Sequence, residues 1–441
     1  MSELPVVVIG AGPQGLAAGA HLRERGQAFL ILERGPGPAD AVSQWGHVRL
    51  FSAWPELVDK AGARLLELIG WTIPGEGFPT GSEWIDGYLA PLAAVLADDV
   101  VYGARVVGVS RKGRDRLVDA GRAEQPFTVH VEYADGNEAR FDARAVIDAS
   151  GTWTQPNPIG ADGLLALGER AAADHLDYSI PSRHDAESLA GSRVLVIGSG
   201  HSAMNAVIEL AEIVRAKPGT TITWVLRRGV VGNTFGGGAA DELPQRGALG
   251  VRSRELVDEG LVELVTGFRT ERVAVTDEKI VLSSEDGRAL APADRVFVLT
   301  GFRPDLSFLT EMRLDLDTTL QAPTRIAIEI DPNVHSCGTV GATGAKDLNH
   351  PETDLYLVGM KSYGRAPTFL AMTGYEQVRS VVAELAGDHE AAARVELALP
   401  DTGVCGGAGL FDDPDGNAAG GCCGPAVAGP QPIALSLTPG R

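Results

Sequence analysis

The sequence predicts an α/β protein of two Rossmann-like, doubly wound domains and a flexible C-terminal tail, and three observations carry that prediction. An apolar run at residues 5–9 meets a glycine-rich turn, Gly10-Ala11-Gly12-Pro13-Gln14-Gly15. The same order recurs at residues 193–197, followed by Gly198-Ser199-Gly200-His201-Ser202-Ala203. From about residue 396 the composition turns to Gly, Ala, Pro and Asp without apolar periodicity, as in mobile chain.

The elements follow in order. Residues 5–9 read PVVVI, a valine-rich run without alternation, which suits a parallel strand buried on both faces. Residues 16–25 are alanine-rich and stop at Gly26, so a helix follows the turn, and residues 28–32 form a second buried strand ending on Glu33. In the second unit the strand 193–197 leads to a helix over about 203–215 and a strand over 221–226. Between the units, a strand at 145–149 runs into Ser150-Gly151-Thr152 and the proline-punctuated stretch 155–158. Another, at 295–299, runs into Thr300-Gly301-Phe302-Arg303-Pro304-Asp305. Both read as exits from a nucleotide domain. A last strand at 355–358 leads into Gly359 and a helical region over 368–385. This order implies a discontinuous first domain, 1–155 with 330–395, a second domain inserted at 156–329, and a tail at 396–441.

Composition narrows the function classes. A chain of 441 residues with 44% hydrophobic content suffices for two or three packed domains. Its net charge of -20 argues against nucleic acid, whose backbone is bound by clustered Lys and Arg. No apolar stretch is long enough for a membrane span, so a cytoplasmic enzyme without a membrane partner is expected. Four cysteines do not make a disulfide scaffold in a chain of this length.

The two glycine turns point to dinucleotides. Gly10 permits the tight turn, Gly12 lets backbone approach a pyrophosphate, and Gly15 lets the helix pack closely on the strand. Amides at the helix start then meet the phosphates. Glu33 suits a ribose diol without a 2′-phosphate, as in FAD or NAD. At the matching place the second unit has Arg227-Arg228, and a 2′-phosphate needs cationic donors, which points to NADPH. Two solvated arginines after a strand are the alternative. Ala203 stands where the third glycine would be, a tolerated exchange. His201 reads as a polar residue opening the helix. Two dinucleotide sites imply electron transfer between cofactors, which assigns FAD to the first.

With these motifs the chain resembles the two-dinucleotide flavoproteins that include flavin-containing monooxygenases and thioredoxin-reductase-like enzymes. The resemblance spans about residues 4–390 and rests on Gly10 to Gly15 with Glu33, Ala149-Ser150-Gly151, Gly198 to Ala203 with Arg227-Arg228, and Thr300 to Asp305. Arg34, Gln44 and Val106 join the cofactor-binding candidates. Residues 43–54 resemble the tryptophan-containing FAD segment of the monooxygenases and mark Trp45 and Arg49, whereas Trp54 equally suits loop packing. A structural role is expected for Thr80, Glu83, Tyr88 and Leu89. Near the end, Gly359, Phe369 and Thr373 resemble the last FAD-binding element, with Asp354 and Thr373 read as either contacts or caps. The fingerprint of the flavin-containing monooxygenases is degraded around Gly168, His175 and Tyr178. The nearest resemblance is to flavin monooxygenase-like proteins encoded with bacterial arsenic-resistance functions, through residues 47–54, residues 350–374 and the cysteine-bearing tail.

The resemblance implies a redox route. Disulfide reductases of this type carry a cysteine pair beside the flavin, and here no cysteine precedes Cys337. Oxygen becomes the expected acceptor: NADPH reduces FAD, O₂ adds to it as a C4a-(hydro)peroxyflavin, and a small soft or nucleophilic substrate is oxygenated. Chemistry centred on the flavin requires no protein nucleophile. Cys405, Cys422 and Cys423 in the glycine-rich tail suit a trivalent arsenical or another soft metal, although flexible tails also accumulate unconstrained residues. Cys337 reads as a loop thiol. An NADPH-dependent reductase using the tail thiols and a non-catalytic, thiol-based metalloid-binding protein remain alternatives. His47, Asn233, Phe235, Asp241 and Arg365 lie in loops expected near the substrate.

Overall fold

The structure, a computed structural model, describes residues 4–229, 235, 243–332, 341–366 and 369–397. The valine run forms β1 (Val6–Ile9), which pairs in parallel with β2 (Phe29–Leu32) on one side and with the strand Ala145–Asp148 on the other. Numbered in chain order, β3 is Val100–Val101, β4 Ala104–Arg111, β5 Phe127–Tyr133, β6 Glu138–Ala143 and β7 Ala145–Asp148. With β15 (Leu355–Leu357) they build a parallel sheet of order β15-β7-β1-β2-β3, while β4, β5 and β6 form a separate antiparallel sheet.

Alternation of side chains along a strand explains why an unbroken apolar run is needed. Val6 and Val8 face a core shared with Leu16, Ala17 and Ala20 of helix α1 (Pro13–Glu24) and with Val378 and Val381 of the helix Ala371–Leu385. Val7 and Ile9 face the opposite way, against Val109, Phe127 and Val129 of the antiparallel sheet. Both faces are covered, so neither tolerates a polar residue.

The second unit repeats the scheme. Strands β8 (Leu176–Asp177), β9 (Arg193–Ile197), β10 (Thr221–Val225), β11 (Glu263–Val265) and β14 (Arg295–Val298) form a parallel sheet of order β11-β10-β9-β14-β8. Val194 and Val196 meet Ala203, Val207 and Leu210 of the helix His201–Ala216, and Leu256 of the helix Pro244–Asp258. Leu195 and Ile197 meet the hairpin of β12 (Thr270–Thr276) and β13 (Lys279–Ser284).

Two connections between the units run side by side. Asn157 donates its amide to the Gly301 carbonyl at 2.8 Å and its side-chain NH₂ to the Thr300 carbonyl at 3.1 Å. The Thr300 hydroxyl donates to the Asn157 carbonyl at 2.7 Å, and Arg303 Nε donates to Asn157 Oδ1 at 2.9 Å.

Element ends differ from the sequence expectation by a few residues. α1 starts at Pro13, not at 16, because proline lacks the N–H that a first helical position leaves unused. The last long helix starts at Ala371 rather than 368. Among the described residues no helix is long and apolar enough to cross a membrane.

Candidate active site

In each parallel sheet the strand order reverses at one place, and a crevice opens there outside the carboxyl ends of the strands. In the first sheet it lies between β1 and β7, where Ile9 is level with Asp148. In the second it lies between β9 and β14, where Ile197 is level with Val298. Each crevice is therefore rimmed by one glycine-rich turn and one exit segment.

At the first crevice Gly10 has a φ of +99°, and a Cβ on Gly15 would come within 1.8 Å of the Gly10 carbonyl oxygen, so only glycine admits this approach of helix to strand. A Cβ on Gly12 would meet nothing within 4 Å. Gly12 also caps α1 without any side-chain hydrogen bond. An open space over helix-terminal amides fits a pyrophosphate.

Glu33, buried at the end of β2, accepts the Ala11 amide on Oε2 at 2.6 Å and the Gly35 amide on Oε1 at 2.7 Å. A carboxylate has about four lone-pair sites, so the two bonds leave acceptor capacity for a ribose hydroxyl. Tyr102 adjoins it; burial and then the Glu33 charge raise its phenol above the ordinary range. The sequence reading missed Tyr102, because its nearness to Glu33 depends on β3 pairing with β2. Arg34 is exposed, and Val106 is buried in the core beneath the antiparallel sheet.

Toward the other end, the buried Gln14 donates to the Ala371 carbonyl at 3.1 Å. Gly359 and Gly374 close over it: a Cβ on either would come within 2.8 and 2.5 Å of the Gln14 side chain, respectively. Thr373 is buried in the first turn of the helix Ala371–Leu385, and Phe369 packs edge-on against Tyr363 with centroids 5.0 Å apart. Ala149 borders Gly10, whose Cβ would lie 3.0 Å from the Ala149 carbonyl oxygen, and Gly151 has a φ of +68°. Ser150 bonds to Asp148, and a buried lysine that the motif reading passed over, Lys361, reaches both.

The 43–54 segment divides between site and scaffold. Gln44 accepts from the Trp153 indole at 2.8 Å, and Trp153 stacks on Phe302 with centroids 4.7 Å apart. Trp45 is half-buried against Gly81. Arg49 is exposed, donates to the Phe78 carbonyl and lies 3.7 Å from Glu83, so its guanidinium braces the neighbouring loop in this conformation. Trp54 is buried against Gly87 and is scaffold, as are Thr80 with Glu83, which cap a helical turn, and Tyr88, whose hydroxyl accepts the Asp59 amide.

The second crevice repeats the cradle. Gly198 has a φ of +129° and a Cβ there would approach the Leu299 carbonyl oxygen within 2.1 Å, whereas a Cβ on Gly200 would meet nothing within 4 Å. Ser199, His201 and Ser202 are half-buried, and His201 opens the helix His201–Ala216. The His201 ring lies 5.4 Å from that of Phe51, joining the 43–54 segment to the second turn. Arg227 and Arg228 follow β10 as Glu33 follows β2; Arg227 is exposed and donates to the Ala161 carbonyl at 2.9 Å. Thr300 and Gly301 form the facing rim.

Two expectations are corrected. The Phe235 side chain is buried in the second core rather than offered to a substrate, edge-on to Trp224 at 5.8 Å and with the Arg254 guanidinium 4.6 Å from its ring centre, because burial of so large an apolar ring outweighs its loop context. Asp354, read as either a contact or a cap, sits at the amino end of β15, where its carbonyl accepts the Val146 amide, so the contact alternative falls away with its distance from the crevice at the carboxyl ends. His47 and Arg365 are exposed, the latter donating to Gln321 at 2.8 Å. Asn233, Asp241, Cys337 and the tail cysteines Cys405, Cys422 and Cys423 lie outside the described residues. Among the described residues no group of three or more His, Cys, Asp or Glu side chains is placed to hold a metal ion.

Comparison with known proteins agrees with this architecture. The pattern of the pyridine nucleotide-disulphide oxidoreductase family matches residues 122–325. A ferredoxin–NADP reductase of Thermus thermophilus is 26% identical over 76% of this chain and 84% of its own length. The indole-3-pyruvate monooxygenase YUCCA1 of Oryza sativa is 30% identical over 52% of this chain and 51% of its own. The solved structure of the bacillithiol disulfide reductase Bdr from Bacillus cereus superposes with a TM-score of 0.64 at 20% identity, covering 88% of this chain and 99% of that one. The two Rossmann-like sheets together with these similarities make this chain an oxidoreductase whose cofactors are FAD and NADPH.

Proposed function

We propose that the chain is a flavin monooxygenase that oxygenates a small soft or nucleophilic substrate with O₂ at the expense of NADPH. The observation that carries this reading is that no cysteine occurs in the chain before Cys337, so the described residues around the first crevice include none. No dithiol from that long stretch stands beside the flavin to pass electrons to a disulfide. Bound flavin supplies hydride acceptance and oxygen activation, and the protein supplies binding, orientation and exclusion of water.

In this reading residues 1–155 and 330–395 bind FAD and residues 156–329 bind NADPH. Amides of the Gly10–Gly15 turn take the FAD pyrophosphate, Glu33 the ribose, and Ser150, Gly151, Gly359 and Thr373 the flavin end. The turn from Gly198 to Ser202 takes the NADPH pyrophosphate, and Arg227 with Arg228 the 2′-phosphate. Trivalent arsenicals are the favoured substrate class, because Cys405, Cys422 and Cys423 offer soft thiolates to a soft metalloid.

The test is oxygen stoichiometry. Purified holoenzyme with NADPH is given arsenite or a methylated trivalent arsenical, with O₂ uptake and oxidised product both followed. One O₂ per product supports oxygenation of that class. Oxygen-coupled turnover of other soft nucleophiles only would remove the arsenical and keep the monooxygenase.

A second reading, an NADPH-dependent reductase, is favoured by the long similarity to a ferredoxin–NADP reductase. Undiminished turnover of an electron acceptor without O₂, abolished when the three tail cysteines are changed to Ser, would select its thiol-dependent form.

A further inference from the structure

The buried ion pair of Lys361 and Asp148 is the group that the cofactor scheme leaves unused. Both side chains are 0% exposed, and Lys361 Nζ lies 2.5 Å from Asp148 Oδ2. The ammonium also donates to Ser150 Oγ at 3.0 Å and lies 4.2 Å from the centre of the Phe308 ring. Ser150 in turn donates its hydroxyl to Asp148 Oδ1 at 2.6 Å and its backbone amide to the same oxygen at 3.0 Å. Lysine, aspartate and serine thus form a closed ring of contacts.

Fold stability does not account for this ring. Removing an ammonium and a carboxylate from water is costly, and apolar side chains of similar volume often serve a core equally well or better. Its position supplies another reason. Asp148 ends β7 and Lys361 lies in the helical turn Gly359–Tyr363 that follows β15. The segments leaving these two strands, Ala149-Ser150-Gly151 and Gly359, form one wall of the first crevice. The ion pair ties these two segments together and fixes the rotamer and backbone of Ser150, one residue before Gly151 takes its φ of +68°.

We infer that Lys361 is a positioning residue of the flavin site: through Asp148 and Ser150 it locks the 149–151 turn in the geometry that receives FAD. The inference rests on the assignment of FAD to the first crevice. Interactions of this kind act through geometry, so their loss is read in cofactor binding rather than in folding.

The experiment compares wild-type protein, the double variant Lys361→Met/Asp148→Asn, which removes both charges together, and Lys361→Gln, which removes the ammonium while Ser150 and its bonds to Asp148 stay in place. Apoprotein folding is followed by circular dichroism and thermal unfolding, and FAD binding by fluorescence titration and the visible bands of bound flavin. Expected are wild-type-like unfolding of the double variant, FAD affinity lowered about tenfold or more in it, and shifted flavin bands. Lys361→Gln is expected to weaken binding in the same direction, and it decides the matter should the double variant not fold. Folded variants with unchanged FAD affinity and bands would overturn the role of Lys361. Wild-type protein that binds no FAD, or binds it unaffected by changes at Gly12, would instead overturn the crevice assignment and the inference with it.

Discussion

The carboxylate of Glu33 accepts the amide of Ala11 at 2.6 Å, so the acid that ends β2 holds the glycine turn that follows β1. Its other oxygen holds Gly35 at 2.7 Å. One side chain therefore shapes the glycine turn and, in the proposed assignment, offers lone pairs to the FAD ribose. Glu33→Ala should lower apoprotein stability by ~2 kcal/mol or more, since hydrogen bonds to a charged acceptor are lost and buried amides are left without it. FAD affinity should fall as well. Urea unfolding and FAD titration measure the two losses separately.

Gly12 and Gly15 share a motif but should respond differently to alanine. At Gly15 the new methyl would meet backbone, and the variant should be destabilised by about 3 kcal/mol or more, at the upper end of overpacking costs. At Gly12 the methyl would meet only the open crevice, so apoprotein stability should stay within ~0.5 kcal/mol while FAD binding weakens. Equal FAD affinity in wild type and Gly12→Ala would show that the cofactor does not approach this turn.

Arg227 and Arg228 should decide between NADPH and NADH. Changing both to Ala should raise the KM for NADPH by roughly ten- to a hundredfold, the equivalent of charge-assisted hydrogen bonds to phosphate, with little change for NADH. Steady-state flavin reduction with each nucleotide tests this. Parallel losses for both would indicate that the arginines serve the fold, as the bond from Arg227 to the Ala161 carbonyl also allows.

His350 should make stability depend on pH. It is buried, its Nδ1 accepts the Asp315 amide at 3.2 Å, and its Nε2 has no hydrogen-bond partner among the described residues. Burial lowers its pKa to about 4, against an ordinary value of 6.5. Between these values the unfolded chain binds a proton that the folded chain does not, so stability should fall as pH drops from about 6.5 toward about 4. Unfolding free energies of wild type and His350→Gln across that window should converge at the acid end.

Much of the first crevice was legible because its determinants are local. A valine run, a turn that needs small residues and an acid at the next strand end lie within the first 33 positions of the chain. The brace formed by Arg49 was not legible, since the residues it binds, Phe78 and Glu83, are met only when the loops fold together. The burial of Phe235 was hidden for a like reason: a glycine-rich context reads as loop until Trp224 is placed beside it.

By itself the sequence determined the two βαβ units, the positions of both glycine turns and the contrast of Glu33 with Arg227-Arg228, because backbone geometry and strand burial follow from neighbours a few residues apart. Only the tertiary structure decided which distant segments form the crevice walls. Lys361 and Ser150, 211 positions apart, are joined because β15 pairs with β7, and no local pattern encodes that pairing. Burying an ammonium requires a carboxylate and a hydroxyl already in place, a condition that the folded sheet supplies.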